Sequence, residues 1–206
     1  MKILNNIRTI SLVSAVSLIP LLAAPLKAQT NELKVDSFQY IHPGGITDKT
    51  VLSKAPDPSV CVNGEKSNAI IVVNIKQHKL YKYNKQAQAE IAYPVATGLY
   101  KNSTPTGIYS IGWIEYSPYK SAPPGTKRHR KPYLFGDKAI IMYRVDPKTG
   151  KKSSTNILIH GHKKGAESSI GTNASLGCIR LFNPDISKLA EDVKSENGAF
   201  VKFIYE

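Results

Sequence analysis

From Ala69 onward the chain consists of short apolar runs rich in isoleucine and valine, separated by polar turns. Runs of this length and composition are typical of β-strands. The strands predicted from them cover residues 69–75, 80–83, 91–97, 108–114, 139–143, 157–159 and 200–205. The short polar link between the first two predicts a hairpin. So many short strands constrain the chain to a mainly β fold, a β-sandwich or a barrel-like pair of sheets.

One segment near the C-terminus has helical periodicity instead. Its apolar residues recur at positions i, i+3, i+4 and i+7, and these are Ile186, Leu189, Ala190 and Val193. We expect Asn183 to cap this helix, Pro184 to occupy its first position and Asp185 to favour its positive end. The pattern therefore predicts one short helix that packs on the sheet.

The N-terminus differs in composition from the rest of the chain. Residues 1–28 combine Lys2 and Arg8 with an uncharged apolar stretch and end at Ala28, which is typical of a cleaved signal peptide. A retained membrane anchor is the alternative, but the stretch is short and contains Pro20. Residues 29–67 are polar and rich in turn-forming residues, so we interpret them as a linker. Residues 68–206 form the predicted domain, and no later segment is apolar enough to remain in a membrane after cleavage.

Cys178 has the sequence surroundings of a nucleophile. A thiol that attacks carbonyls needs a base, backbone N–H groups for the oxyanion and an anchor for the substrate. Gly177 permits a tight turn, and the N–H groups of Gly177 and Cys178 are the predicted oxyanion hole. Arg180 offers a guanidinium fork for a carboxylate, and His160 ends a predicted strand as the candidate base. The pattern favours a cysteine acyltransferase or hydrolase.

The same residues lie within a longer ordered pattern. It comprises Ser103-Thr104-Pro105-Thr106-Gly107, Phe135-Gly136, His160-Gly161, the run from Ile170 to Leu181, Asn183 and Asp185-Ile186. This pattern closely resembles the L,D-transpeptidase (YkuD-type) catalytic domain, over about residues 68–204. The chain departs from many members of that family in having Leu176 in place of a histidine, which removes any second-histidine role at that position.

The resemblance implies roles for further residues. Gly161 would be the third catalytic member, because the backbone carbonyl after the histidine orients the ring in this family. We expect Ser175 to hydrogen-bond the backbone of the turn and, as a lesser role, to contact substrate beside Arg180. An internal tie to Asp185 or to a backbone carbonyl is the alternative for Arg180. The irregular, basic and aromatic stretch between Glu115 and Lys138 is expected to be a lid over the substrate groove, or else a solvated loop.

We expect no metal and no cofactor. His162 forms a His-x-His pair with His160, which raises the possibility of zinc, but the sequence supplies no fourth ligand at a suitable spacing. Cys61 is the second cysteine, and pairing it with Cys178 would consume the nucleophile. We therefore expect Cys61 to have a structural or incidental role, and His162 to be a surface or substrate-contact residue.

Charge bears on the choice of partner. The formal net charge is +13, and loss of Lys2, Arg8 and Lys27 with the signal peptide leaves +10. Such a charge attracts polyanions of any kind, but export to the periplasm or cell wall disfavours nucleic acid and favours wall components as the partner. A solvated basic surface without a specific partner is the alternative. The resemblance implies that the partner is a peptidoglycan stem peptide, cut to release D-alanine and joined to a neighbouring stem as a 3-3 cross-link. An L,D-carboxypeptidase or amidase of the same fold, and a catalytically inert wall-binding protein, are the alternatives.

Overall fold

A computed structural model describes residues 43–116, 124 and 134–206 of the chain. The predicted signal peptide, the first part of the predicted linker and most of the predicted lid lie outside these residues. None of the helices within the described residues is long and apolar enough to cross a membrane.

The described residues are mainly β-strands, which confirms the predicted fold class. The strands are β1 (Ser59–Val62), β2 (Glu65–Asn74), β3 (Lys79–Tyr83), β4 (Ala89–Pro94), β5 (Thr97–Gly98), β6 (Gly107–Tyr116), β7 (Lys138–Val145), β8 (Lys152–His160), β9 (Asn173–Ser175), β10 (Ile179–Arg180) and β11 (Phe200–Ile204). The helices are α1 (Lys49–Leu52), α2 (Asn183–Asp192) and a 3-10 turn, Glu167–Ser169.

Nine of these strands form one sheet in the order β10-β8-β7-β6-β11-β2-β3-β4, with β1 added beside β2. The pairs β10–β8 and β11–β2 are parallel, and the other pairs in this sheet are antiparallel. Strands β5 and β9 form a separate parallel pair. The hairpin predicted between the first two strands is the β2–β3 connection, where His78 has a positive φ of 52°.

One face of this sheet encloses the main core together with α2. Side chains from both ends of the sheet meet in it, including Leu80 of β3 and Ile179 of β10. Leu189 of α2 packs into the same cluster, as the helical periodicity predicts. Because strands at opposite ends of the sheet share one core, the sheet must curve around it.

The prediction that residues 29–67 form a linker is wrong for the described part, residues 43–67. Ile46 exchanges two backbone hydrogen bonds with Ala92, and β1 pairs along its length with β2. Val60 is buried in a second hydrophobic cluster on the sheet, separate from the main core, and Val51 packs against this cluster. These apolar side chains gain burial on the sheet surface, which is why a segment of polar average composition folds onto the domain.

The N-terminus of α2 also differs from the prediction. Phe182, not Asn183, is the N-cap residue, and no side chain caps the helix there. The Asn183 side chain instead binds the backbone of His162, accepting from its N–H and donating to its carbonyl oxygen, both at 3.0 Å. Asp185 is buried and accepts a 2.6 Å hydrogen bond from the Gly44 N–H. Asn183 thus ties the helix to the chain just after His160.

Candidate active site

The register of β8 and β10 brings the candidate catalytic residues to one face of the sheet. Ile159 pairs with Ile179 and His160 pairs with Arg180. Residues paired across two strands project to the same face, and alternate residues along a strand share a face. Cys178 therefore projects on the same side as His160 and Arg180, whereas Ile159 and Ile179 point into the main core. The parallel pairing makes neighbours of residues that lie 18 positions or more apart in the sequence.

The His160 imidazole is buried and oriented by backbone carbonyls. Its Nδ1 lies 2.5 Å from the carbonyl oxygen of Gly161, the residue to which the resemblance assigns the third catalytic position. Burial, and to a smaller extent the nearby charge of Arg180, lower the pKa of His160 to about 3, although the carbonyls of Gly161 and Phe135 partly oppose this shift. The ring is therefore neutral at pH 7, the state in which an imidazole can accept a proton.

Phe135 connects the histidine to the cysteine. Its ring meets the His160 ring edge-on, with centroids 4.7 Å apart. The same phenylalanine and Cys178 pack against a small buried cluster that lies on this face of the sheet, formed by Ala139, Ile141 and Leu158. The sequence motif contains Phe135, but only the fold reveals that it forms an apolar wall beside both functional groups.

The Cys178 thiol is partly exposed, and its Sγ lies 3.5 Å from the carbonyl oxygen of Asn156. Neither Cys178 nor Cys61 is part of a disulfide, and Cys61 is exposed at β1. The loop that carries the thiol needs glycine at position 177. Its φ is +133°, and a Cβ there would collide with the carbonyl oxygen of Ser103.

Ser175 shapes this loop from inside. Its buried hydroxyl accepts a hydrogen bond from the Gly177 N–H at 2.9 Å and donates one to the Cys178 carbonyl oxygen at 2.6 Å. These are hydrogen bonds to the backbone of the turn, as predicted from the sequence. Because the hydroxyl is buried, Ser175 is unsuited to the predicted contact with substrate. The Gly177 N–H is also already engaged, so the oxyanion role predicted for it does not fit this conformation.

Arg180 is half-buried near the candidate nucleophile Cys178. Its Nη1 donates to the Ser169 hydroxyl at 3.0 Å, and its backbone exchanges two hydrogen bonds with Ala96. Asp185 accepts a hydrogen bond from the Gly44 N–H instead, so the contacts of the described residues give no support to an ion pair between Arg180 and Asp185. Burial lowers the pKa of Arg180, and interaction with Cys178 partly opposes this. The guanidinium thus stands within electrostatic range of both catalytic candidates.

His162 differs from its prediction because it is buried and not a surface residue. Its Nδ1 lies 2.8 Å from the Lys163 carbonyl oxygen, and its ring meets Phe182 edge-on. Among the described residues no group of three or more histidine, cysteine or carboxylate side chains is arranged to hold a metal ion. The role of His162 is therefore packing between the strand end and α2.

The comparisons with solved structures return proteins of similar fold. Bd1075 of Bdellovibrio bacteriovorus is 24% identical with a TM-score of 0.49, over 74% of this chain and 53% of that one. L,D-transpeptidase 3 from Mycobacterium tuberculosis, solved with a faropenem-derived adduct, is 19% identical with a TM-score of 0.46, over 69% and 65%. The cell shape determining protein Pgp2 from Campylobacter jejuni is 23% identical with a TM-score of 0.45, over 67% and 48%.

The chain thus spans less than two thirds of the length of each of these solved chains. A comparison with curated proteins finds no match. A model of the L,D-transpeptidase (YkuD) catalytic domain matches residues 68–201, which include the Thr-Pro-Thr-Gly turn, His160, Cys178 and α2. Because this match covers well over half of the sequence, the chain belongs to the L,D-transpeptidase catalytic domain family.

Proposed function

We propose that this protein is an exported L,D-transpeptidase that cross-links peptidoglycan stem peptides through an acyl-enzyme on Cys178. One observation carries the proposal: the β8–β10 register places the Cys178 thiol, the neutral His160 imidazole and the Arg180 guanidinium on one face of the sheet. A nucleophile, a base and an anchor for a carboxylate are the groups that acyl transfer from a peptide requires.

The first half-reaction forms a thioester. His160 accepts the thiol proton as Sγ attacks the carbonyl carbon of the third residue of a tetrapeptide stem. The carbonyl oxygen gains the negative charge, and the backbone N–H of Cys178 is the donor that we assign to it. When the tetrahedral intermediate collapses, the bond to the terminal D-alanine breaks and His160 returns the proton to the departing amine.

The second half-reaction uses the side-chain amine of a neighbouring stem. This amine attacks the thioester carbonyl and loses a proton to His160, and the Cys178 thiolate leaves and is protonated. The product contains a new amide bond between the third residues of two stems. Arg180 holds a carboxylate of the stem, a role that suits a planar guanidinium fork.

Export and the cell wall location belong to the same proposal. Residues 1–28 have the composition of a signal peptide, and the remaining chain keeps a net charge of +10. A cationic surface is attracted to the carboxylates of stem peptides and to anionic wall polymers. Proteolytic mapping of the N-terminus of the protein recovered from a periplasmic fraction tests this part separately, and an intact residue 1–28 segment on a cytosolic protein would contradict it.

Mass spectrometry of a purified disaccharide tetrapeptide incubated with the protein tests the reaction. We expect a cross-linked dimer and free D-alanine. A tripeptide product without a dimer would identify the hydrolase, and unchanged substrate from a folded protein would identify an inert wall-binding protein. Cys178→Ala is the matched control, because it removes the thiol and should yield no product.

A further inference from the structure

A β-bulge in β6 turns one side chain toward the catalytic face. The pairing of β6 with β7 shifts between Ile111 and Trp113, so that Ile111 pairs with Met142 and Trp113 with Ile141. In a regular strand, residues three positions apart point to opposite faces of the sheet. Ile111 and Ile114 nevertheless both pack on the main core, because the bulge inserts one extra residue between them. A bulge of this kind re-aims the side chain that follows it, here Trp113.

Gly112 allows this bulge. A Cβ at Gly112 would lie 2.9 Å from Cε2 of Tyr143 and 3.2 Å from the carbonyl oxygen of Ile141. The space beside the bulge is filled by the Tyr143 ring, which also approaches the Trp113 ring with centroids 6.2 Å apart. The indole is thus supported from one side by an aromatic neighbour on the adjacent strand.

Trp113 lies in the same cross-strand row as the nucleophile. Trp113 pairs with Ile141, and Ile141 pairs with Leu158. Because β8 and β10 are parallel and Ile159 pairs with Ile179, the preceding residues, Leu158 and Cys178, also lie opposite each other. All members of a row project to the same face of a sheet. Three strand spacings of about 4.8 Å separate the ends of this row, so Trp113 lies about 14 Å from Cys178 along the catalytic face.

The exposure of Trp113 contrasts with that of the residues between it and the cysteine. Ile141 and Leu158 are 7% and 8% exposed, whereas the indole is 50% exposed. A lone exposed apolar residue needs no explanation in general. Tryptophan has the largest side chain, this one is placed by a bulge, and it lies at a defined distance from the thiol. Together these observations indicate a contact surface for a molecule bound along this face of the sheet.

We propose that Trp113 is a stacking platform for a sugar ring of the glycan strand that carries the stem peptide bound at Cys178. This inference rests on the proposed function. The scissile carbonyl belongs to the third stem residue, and three residues extend about 10 Å at about 3.5 Å each. The γ-linkage of the second residue and the lactyl ether lengthen the path, so the first sugar of an extended stem is within reach of a point about 14 Å from the thiol. An indole face suits the apolar C–H face of a pyranose ring.

Fluorescence tests this assignment without catalysis, because Trp113 is the single tryptophan of the chain. Cys178→Ala protein is titrated with the disaccharide of N-acetylglucosamine and N-acetylmuramic acid, with the disaccharide tetrapeptide, and with the free tetrapeptide. We expect saturable emission changes with both sugar-containing ligands and a smaller change with the free tetrapeptide. Equal changes with and without the sugar, or no change with the disaccharide tetrapeptide, would overturn the proposal.

Kinetics supply the second test. The ratio of kcat/KM for disaccharide tetrapeptide to that for free tetrapeptide is expected to fall about tenfold in Trp113→Ala, chiefly through KM. Trp113→Tyr should retain most of the ratio because it keeps an aromatic face. Tyr205→Ala, which removes an exposed aromatic ring outside this row, is the matched control. An unchanged ratio in folded Trp113→Ala protein would overturn the assignment. A substitution that changed only the KM for the acceptor amine would overturn it as well.

The two tests separate this proposal from the proposed function. If wild-type protein consumes neither donor, the transpeptidase proposal fails, and the fluorescence response to the disaccharide still decides the role of Trp113. If both donors are consumed with the same kcat/KM, the reaction stands and the glycan platform falls.

Discussion

The Oγ1 atom of Thr104 donates a 2.8 Å hydrogen bond to the carbonyl oxygen of Gly177, which lies 73 residues further along the chain. The same hydroxyl accepts from the Gly98 N–H at 2.8 Å, and Thr104 is buried. The Thr-Pro-Thr-Gly turn therefore braces the loop that carries Cys178. It holds the peptide group directly before Cys178.

Thr104→Val tests this brace. The substitution keeps the volume but leaves the Gly98 N–H and the Gly177 carbonyl without their partner, which costs about 1–3 kcal/mol in the free energy of unfolding. We expect a lower midpoint in urea and at least a tenfold loss of kcat. Thr104→Ser, which keeps the hydroxyl, should remain close to wild type in both measurements. Equal losses in the two variants would show that the methyl group and not the hydrogen bonds matters.

Ser175→Ala removes the internal hydrogen bonds of the loop that carries Cys178. The Gly177 N–H loses its acceptor and the Cys178 carbonyl loses its donor. We expect kcat to fall about tenfold to a hundredfold, because the thiol is no longer held in place, with KM little changed. Ser67→Ala, an exposed serine on β2, is the matched control. A rise in KM with unchanged kcat would instead support the substrate contact predicted from the sequence.

The charge of Arg180 should be visible in the pH profile of the reaction. Because this charge helps to lower the pKa of His160, Arg180→Ala is expected to raise that pKa and to move the acidic limb of kcat/KM to higher pH. Arg180→Lys keeps the charge, so its acidic limb should stay near that of wild type. Lysine lacks the planar fork, and we expect its kcat/KM to fall about tenfold. Identical acidic limbs in all three proteins would contradict the electrostatic role.

The neutral state of buried His160 also links stability to pH. The pKa of His160 is about 3 in the folded protein and about 6.5 in an unfolded chain, so the unfolded state binds a proton first as pH falls. This contribution to stability is present above about pH 6.5 and is lost as pH falls toward about 3. We expect the free energy of unfolding, measured in urea, to fall between about pH 7 and pH 4.5 by on the order of 2 kcal/mol more in wild type than in His160→Gln. Equal losses would mean that His160 is not buried in solution.

The main features of the fold were predictable from the sequence because they depend on local pattern. Isoleucine- and valine-rich runs such as 69–75 identified strands, and the spacing of Ile186 and Leu189 identified α2. The motif around Cys178 and the distant His160 identified the candidate site through the family resemblance. In each case the signal lies in residue types at fixed spacing, which do not require knowledge of tertiary contacts.

Other features depend on contacts between distant segments and left no local signal. The folding of residues 43–67 onto the sheet depends on burial of single apolar residues such as Val60. The hydrogen bond from the Gly177 N–H depends on the side-chain conformation of Ser175. The hydrogen bond between Asn183 and the His162 backbone depends on where α2 meets the end of β8. The Gly112 bulge has a weak sequence signal, a glycine within a strand, but its consequence for Trp113 depends on the pairing register.

A β-lactam separates the two cysteines of the chain. A strained lactam carbonyl should acylate the Cys178 thiol, because the candidate base lies on the same face and the Cys178 N–H is the donor that we assign to the oxyanion. We assign neither group to exposed Cys61. We expect intact-mass spectra after meropenem treatment to gain one adduct, and peptide mapping to place it on Cys178. Cys61→Ala should acquire the adduct at the wild-type rate, and Cys178→Ala should acquire none. An adduct on Cys61 alone would refute the assignment of the nucleophile.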